Sequence, residues 1–384
     1  MPNYSGMWTL QAQMQAKAAG LWTGIPQFTL WSWGQNKKGQ LGQNDTIYRS
    51  SPVQVGALTT WLNVDACIYN TAATKSDGTL WTWGSNSYGM LGQNDTIYRS
   101  SPVQVGALTT WSKVALGFTF TVSTKTDGTL WTWGANYYGT LGQNIAYTIN
   151  RSSPVQVGSL TTWSNIASGG NSTFATKTDG TLWSWGYNYK GQLGQNIATT
   201  INRSSPVQVG ALTTWLNVAC GGYHIAATKT DGTLWSWGNN GFGQLGQNGT
   251  IDRSSPVQVG ALTTWLNVAC GAYHTAATKT DGTLWIWGQN SFGQLGLNDA
   301  SVNRSSPVQV GALTTWSKVS CGKYSTVATK SDGTLWAWGD NSSGQLGENN
   351  VNGYSSPVQV GTLNTWINVA CGDNHVITVL NIPT

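Results

Sequence analysis

Acid is scarce in this 384-residue sequence: aspartate and glutamate total fourteen, and glutamate appears once, as Glu348. Charged residues of both signs make up 9%, against roughly 25% in an ordinary soluble domain. A highly charged helical protein and a disordered tail are both excluded by that composition. No window approaches the 18 or so apolar residues of a spanning helix, so no membrane insertion is expected. The opening residues, MPNYSGMWTLQAQMQAKAAG, lack the basic start and continuous apolar stretch of a secretory signal. Cysteine is present five times but never as CxxC, which argues against zinc or redox chemistry. A formal charge of +5 comes without any Lys/Arg run. Nucleic-acid readers gather their charge on one face, so no nucleic-acid partner is expected.

Tryptophan and glycine are abundant instead, at 23 and 48 residues. Trp-x-Trp-Gly occurs seven times, starting at Trp31, Trp81, Trp131, Trp183, Trp235, Trp285 and Trp336. A third Trp opens each unit, at Trp61, Trp111, Trp163, Trp215, Trp265, Trp316 and Trp366. SSPVQVG also recurs seven times, from Ser50 to Ser355. Self-similarity at a period of about 50 residues signals a repeat architecture. Most of the basic residues obey it too: Lys75, Lys125, Lys177, Lys229, Lys279 and Lys330 share one position, and Arg49, Arg99, Arg151, Arg203, Arg253 and Arg304 another.

The unit Trp215–Thr264 reads as four short strands. Asn217–Cys220 and His224–Lys229 are the first two, and Thr230-Asp231-Gly232 is a turn signal between strand-like runs. Thr233–Trp237 is the third, with Trp235 and Trp237 on one face by alternation. Pro256–Val259 is the fourth, and Pro256, lacking an N–H, belongs at a strand start or an edge. Four short antiparallel strands per unit describe a propeller blade. Each small sheet has two faces to cover, and burying one large aromatic contributes about 1.5–3 kcal/mol, so three Trp per unit predict an inter-blade core. The chain ends are complementary. Ile25–Trp31 is a third strand without the first two, while Asn368–Cys371 and His375–Val379 are the first two without a third. The expected fold is therefore all-β: a seven-bladed β-propeller of four-stranded antiparallel blades over residues 26–384, closed by N- and C-terminal strands sharing one blade.

The pattern Trp-x-Trp-Gly-x-Asn-x-x-Gly-x-Leu-Gly, then Pro-Val-x-Val, then Val-Ala-Cys-Gly-x-x-His, resembles the RCC1 repeat (regulator of chromosome condensation) over about residues 26–384. That resemblance implies an interaction propeller; the family includes a nucleotide exchange factor for a small GTPase and a plant ultraviolet receptor. The photoreceptor's Gly-Trp-Arg-His-Thr segments are replaced here by Gly222-Tyr223-His224, Ala272-Tyr273-His274 and Asp373-Asn374-His375, so light sensing is not expected.

Nor is an enzyme, a cofactor or a metal. Asp77, Asp127, Asp179, Asp231, Asp281 and Asp332 serve hairpin turns, where Asp-Gly is a structural choice. His224, His274 and His375 share one repeat position, filled elsewhere by Asn70, Phe120, Ser172 and Ser325. The units differ chiefly in two loops. The loop after Trp-Gly carries Tyr88, Tyr137, Tyr138, Tyr187, Tyr189, Phe242 and Phe292, which are the expected ligand- or partner-binding residues because exposed aromatics stack on sugars and anchor proteins. Residues 1–25 are expected to form an anchor or cap, with Met7, Trp8, Leu10 and Met14 as anchoring side chains and helix-like spacing. The segment Tyr4–Ala16 resembles leader segments of tailed-phage virion proteins. The first expectation is thus a virion appendage that contacts other virion proteins, other copies of itself, or a host surface glycan or receptor. The alternative is a cellular RCC1-like interaction module, cytoplasmic or at a cell surface: an exchange factor or a bacterial surface protein.

Overall fold

The computed structural model describes residues 27–197 and 201–382; Met7, Trp8, Leu10 and Met14 therefore lie outside the described residues. Among those described, twenty-eight strands form seven four-stranded antiparallel sheets. Blade 1 is made from both ends of the chain: β1 (Gln27–Gly34) and β2 (Arg49–Gln54) with β27 (Trp366–Cys371) and β28 (His375–Ile382). Blade 2 holds β3 (Trp61–Ala66), β4 (Asn70–Lys75), β5 (Leu80–Gly84) and β6 (Arg99–Gln104), and blade 3 holds β7 (Trp111–Leu116), β8 (Phe120–Lys125), β9 (Leu130–Gly134) and β10 (Arg151–Gln156). Blade 4 holds β11 (Trp163–Gly169), β12 (Ser172–Lys177), β13 (Leu182–Gly186) and β14 (Arg203–Gln208). Blade 5 holds β15 (Trp215–Cys220), β16 (His224–Lys229), β17 (Leu234–Gly238) and β18 (Arg253–Gln258). Blade 6 holds β19 (Trp265–Cys270), β20 (His274–Lys279), β21 (Leu284–Gly288) and β22 (Arg304–Gln309), and blade 7 holds β23 (Trp316–Cys321), β24 (Ser325–Lys330), β25 (Leu335–Gly339) and β26 (Tyr354–Gln359).

The expected closure is present. β1 pairs antiparallel with β28 from Gln27 opposite Ile382 to Gly34 opposite His375. That ladder is longer than the equivalent one in blade 5, which runs from His224 opposite Gly238 to Thr228 opposite Leu234. The extra pairs join the two chain ends, where no covalent hairpin does so. In the other blades the hairpin is a turn closed by Gly232 N–H donating to the Lys229 carbonyl at 3.0 Å. Gly232 has φ +76, and a Cβ there would lie 2.1 Å from the Thr263 carbonyl oxygen, so both backbone and space demand glycine. Asp231 locks the turn: its carboxylate accepts from Thr233 N–H and Oγ1–H at 2.9 and 2.6 Å, and Thr233 Oγ1 accepts from Trp235 Nε1 at 2.9 Å.

The outermost strand starts earlier than the sequence suggests, at Arg253. Its register jumps between the Ser236–Val257 and Gly238–Arg253 pairs, and Pro256 sits in that irregularity at the sheet edge, where a missing N–H breaks no ladder bond.

The core lies between blades. Phe174, Leu182 and Val209 of blades 4 and 5's junction pack against Trp215, Ile225, Ala227 and Trp237 of blade 5. Trp237 is fully buried, and its Nε1–H donates across the junction to the Gln192 carbonyl at 2.8 Å. The same bond recurs at every junction, including Trp33 to Gln345 across the closure at 2.9 Å. Trp215 meets Trp235 and Trp237 edge-to-face, with centroids 6.2 and 5.9 Å away, a favoured aromatic geometry. Lys229 Nζ lies 3.7 Å from the Trp235 ring centroid, and its five repeat equivalents do the same. These lysines are cation–π partners of the core. Blade 1 has Leu380 opposite Trp366 where the other blades have lysine.

Candidate ligand-binding face

In an antiparallel four-stranded blade, the first-to-second and third-to-fourth connections leave the same end of the sheet. The seven aromatic residues expected to bind a partner therefore share one face with the loops after the innermost strand. On that face the rings join across blade junctions. Tyr88 of blade 2 meets Tyr137 of blade 3 edge-to-face at 5.4 Å. Tyr138 lies 4.4 Å from Tyr187 of blade 4, which in turn contacts Tyr189 at 6.1 Å and Tyr223 of blade 5 at 6.4 Å. A second group follows: Phe242 with Tyr273 at 5.4 Å, Tyr273 with Tyr324 at 6.1 Å, and Phe292 with Tyr324 at 4.6 Å. Tyr137, Tyr138, Tyr189 and Phe292 are exposed, whereas Tyr88, Tyr187 and Phe242 are half-buried. The neighbouring Tyr88 hydroxyl pushes the Tyr137 phenol above its ordinary pKa.

Sequence reasoning missed half of this surface. Tyr69, Tyr98, Phe118, Tyr223, Tyr273 and Tyr324 complete it, and all but Tyr98 precede the repeat histidine position by one or two residues. The signal was there in the Gly-x-Tyr-His pattern, but which loops meet depends on strand order. Tyr138 also stands apart: φ is +65, a left-handed backbone that costs an L residue of order 1–3 kcal/mol. Its equivalents Lys38, Tyr88, Lys190, Phe242 and Phe292 are not in that conformation.

The loops themselves are held rigidly. Asn240 is buried; its Oδ1 accepts from Leu245 N–H at 3.0 Å, and its Nδ2 donates to Gly249 and Ile251 carbonyls. Asn248 adopts φ +57, and its N–H donates to Ser305 of the next blade at 2.8 Å. Arg49, Arg99 and Arg304 pair with Asp45, Asp95 and Asp299 of their own loops at 2.6–2.8 Å.

The histidines are structural in the described geometry. His224 Nε2 lies 2.9 Å from Thr275 Oγ1. Since that hydroxyl donates to the Gln244 carbonyl at 2.8 Å, the ring must donate to it, which assigns the Nε2–H tautomer. His274 to Thr326 and His375 to Thr71 repeat the arrangement. Nδ1 of each ring is buried without a partner, and burial pulls all three down to about 3.

The central channel is a second concavity, about 480 Å3, lined by the ends of the innermost strands. The cysteines belong here. Cys321 is buried, and Cys67, Cys220, Cys270 and Cys371 are half-buried along the channel wall, because the innermost strands' ends face it. All five are free thiols, and burial pushes Cys270 and Cys371 up to about 12. Asp65, which no motif flagged, is raised to about 7 by burial while its Oδ2 accepts from Leu116 N–H at 2.6 Å. Among the described residues, no cluster of three or more His, Cys, Asp or Glu could hold a metal ion.

A family model described as "RCC1-like domain" matches residues 29–378. The RCC1 domain-containing protein RUG3, mitochondrial, of Arabidopsis thaliana is 37% identical over 100 residues, covering 25% of this chain and 22% of that protein. The human probable E3 ubiquitin-protein ligase HERC6 is 36% identical over 108 residues, covering 26% of this chain and 10% of that protein. The aligned stretches thus span less than a quarter of either relative's length. Human WBSCR16 superposes with TM-score 0.82 at 20% identity, covering 93% of this chain and 99% of that one. Prp20p from Saccharomyces cerevisiae gives TM-score 0.82 at 18% identity, covering 97% and 95%. At such identities the two structures share the fold. With the family's domain matched along nearly all of the described propeller, the chain belongs to the RCC1-like domain family.

Proposed function

We propose that this chain is a non-catalytic interaction module that engages a protein partner through its aromatic loop face. The observation that carries the reading is the set of rings joined across blade junctions, several of them exposed, standing on loops that each blade fastens to the next. Rigid aromatic anchors give binding energy at little entropic cost. The buried histidines support the non-catalytic part, since general acid–base chemistry needs a group within reach of a substrate.

The cellular interaction module is preferred over the virion appendage. The matched relatives include a plant mitochondrial protein and a human protein named as a probable E3 ubiquitin-protein ligase, whereas the phage resemblance rests on residues outside the described structure. Nucleotide exchange on a small GTPase is one form such a module takes in the family. The test is affinity capture from the source organism with the full chain and with a Tyr189→Ser, Phe242→Ser, Phe292→Ser variant, each quantified by mass spectrometry and followed by reconstitution with the purified partner. One stoichiometric protein should bind the wild type and be lost from the variant. Undiminished binding by the variant, or co-purification with virus particles through residues 1–25, would refute the reading.

A further inference from the structure

Between blades 2 and 3 the loop face sinks into a concavity of about 620 Å3. Its walls include Tyr88, Tyr98, Phe118 and Tyr137, and Asn70 also lines it. Asn70 is 1% exposed, yet neither its Nδ2 nor its Oδ1 has a hydrogen-bond partner. Burying a donor and an acceptor unpaired is costly, and native proteins rarely tolerate it without a reason. The repeat supplies the contrast. In blades 5, 6 and 1 the same position is histidine, whose ring reaches the threonine of the next blade. Asn70 makes no such bond, and the corresponding Thr121 donates to the Met90 carbonyl at 2.7 Å.

Charge narrows the ligand further. No carboxylate lines the concavity, and Lys38, whose Nζ sits 4.8 Å from the Tyr98 centroid, is its one charged side chain. A cationic ligand finds no counter-charge here. Ser87 Oγ and Tyr98 Oη, bonded to each other at 2.6 Å, add hydroxyls. Strained Tyr138 lines the same concavity, and strain in a native backbone gathers at ligand sites.

We infer that this concavity is a binding site for a pyranose unit of a glycan. The flat C–H face of a sugar ring stacks on an aromatic ring. Adjacent ring hydroxyls, each both donor and acceptor, match the paired donor and acceptor of one primary amide. A largely aromatic pocket with a few convergent polar groups is how small-ligand sites are built. A uronic or sialic carboxylate gains Lys38 as well. The inference goes beyond the protein-partner reading and does not depend on it.

The experiment is saturation-transfer NMR on the full chain with methyl β-galactopyranoside, methyl α-mannopyranoside, N-acetylglucosamine and glucuronic acid, each titrated separately. At least one should receive saturation at its ring protons. Its affinity should fall by at least about tenfold in Asn70→Ala and in Tyr137→Ala, the loss expected when a paired group or stacking wall is removed. Leu212→Ala, at an exposed position away from the concavity, should leave it unchanged. Tyr137 is exposed, so that variant keeps the test valid if Asn70→Ala misfolds by circular dichroism. No transfer to any of the four probes, or equal affinity in the folded variants, overturns the inference. Either result leaves the protein-capture experiment unaffected, because that uses a different set of substitutions.

Discussion

Lowering the pH should destabilise the propeller through three buried imidazoles. His224, His274 and His375 are held down to about 3 by burial in the fold, while an unfolded histidine titrates near 6.5. The unfolded chain therefore binds protons that the folded chain refuses, so the stability is intact above pH 6.5 and is lost progressively down to about pH 3. Between pH 7 and pH 5 each ring costs about 2 kcal/mol, or about 6 for the three. Asp65 opposes them. Its carboxyl, raised to about 7, is protonated in the folded state first, and this returns about 2 kcal/mol over the same interval. Asp373, also raised by burial, acts in the same direction. The check is urea unfolding at pH 5, 6 and 7, read by near-ultraviolet circular dichroism, for wild type and His224→Ser. Serine is the natural occupant at Ser172 and Ser325 of the same repeat position. The variant loses packing at every pH, but its total change in stability between pH 7 and pH 5 should shrink by about 2 kcal/mol, an average of about 1 kcal/mol per pH unit. A pH dependence identical to wild type would show that the ring is not neutral and buried, and would refute the argument.

Four further outcomes follow from the packing. Trp33→Ala removes the indole that crosses the closing junction to Gln345; it should cost about 3–5 kcal/mol, and limited proteolysis should release the N-terminal strands of blade 1 first. Lys229→Leu copies the Leu380 arrangement of blade 1 and gives up the contact to Trp235, so a thermal melt should show a loss of only about 0.5–1 kcal/mol. Gly232→Ala places a Cβ against the Thr263 carbonyl at φ +76 and should destabilise by about 1–3 kcal/mol, visible as a lowered melting temperature. Because all five cysteines are free, adding a reductant should leave the melting temperature where it was.

Much of this molecule was legible in one dimension. Repeat length, the Asp-Gly hairpins and the split first and last units led directly to seven blades and a shared closing sheet, because each unit is a local structure whose pattern recurs. The three Trp positions announced an inter-blade core for the same reason: period-two alternation places side chains on a face before any neighbour is known. The repeated lysines and arginines follow the repeat as the sequence implied, although their partners, the indole rings for the lysines and loop aspartates or glutamines for the arginines, did not show.

What the tertiary structure decided was convergence. Tyr88 and Tyr137, or Phe242 and Tyr273, lie far apart in sequence and meet only because antiparallel strands return the loops to one face and the ring sets adjacent blades at a fixed angle. The unpaired amide of Asn70 is likewise a tertiary property. Its meaning comes from a threonine on the next blade that it does not bond, and no pattern within its own unit encodes that gap. Asp65 and the channel cysteines repeat the lesson, since burial in a central channel, and the altered proton affinities that come with it, arises only when seven innermost strands close around an axis.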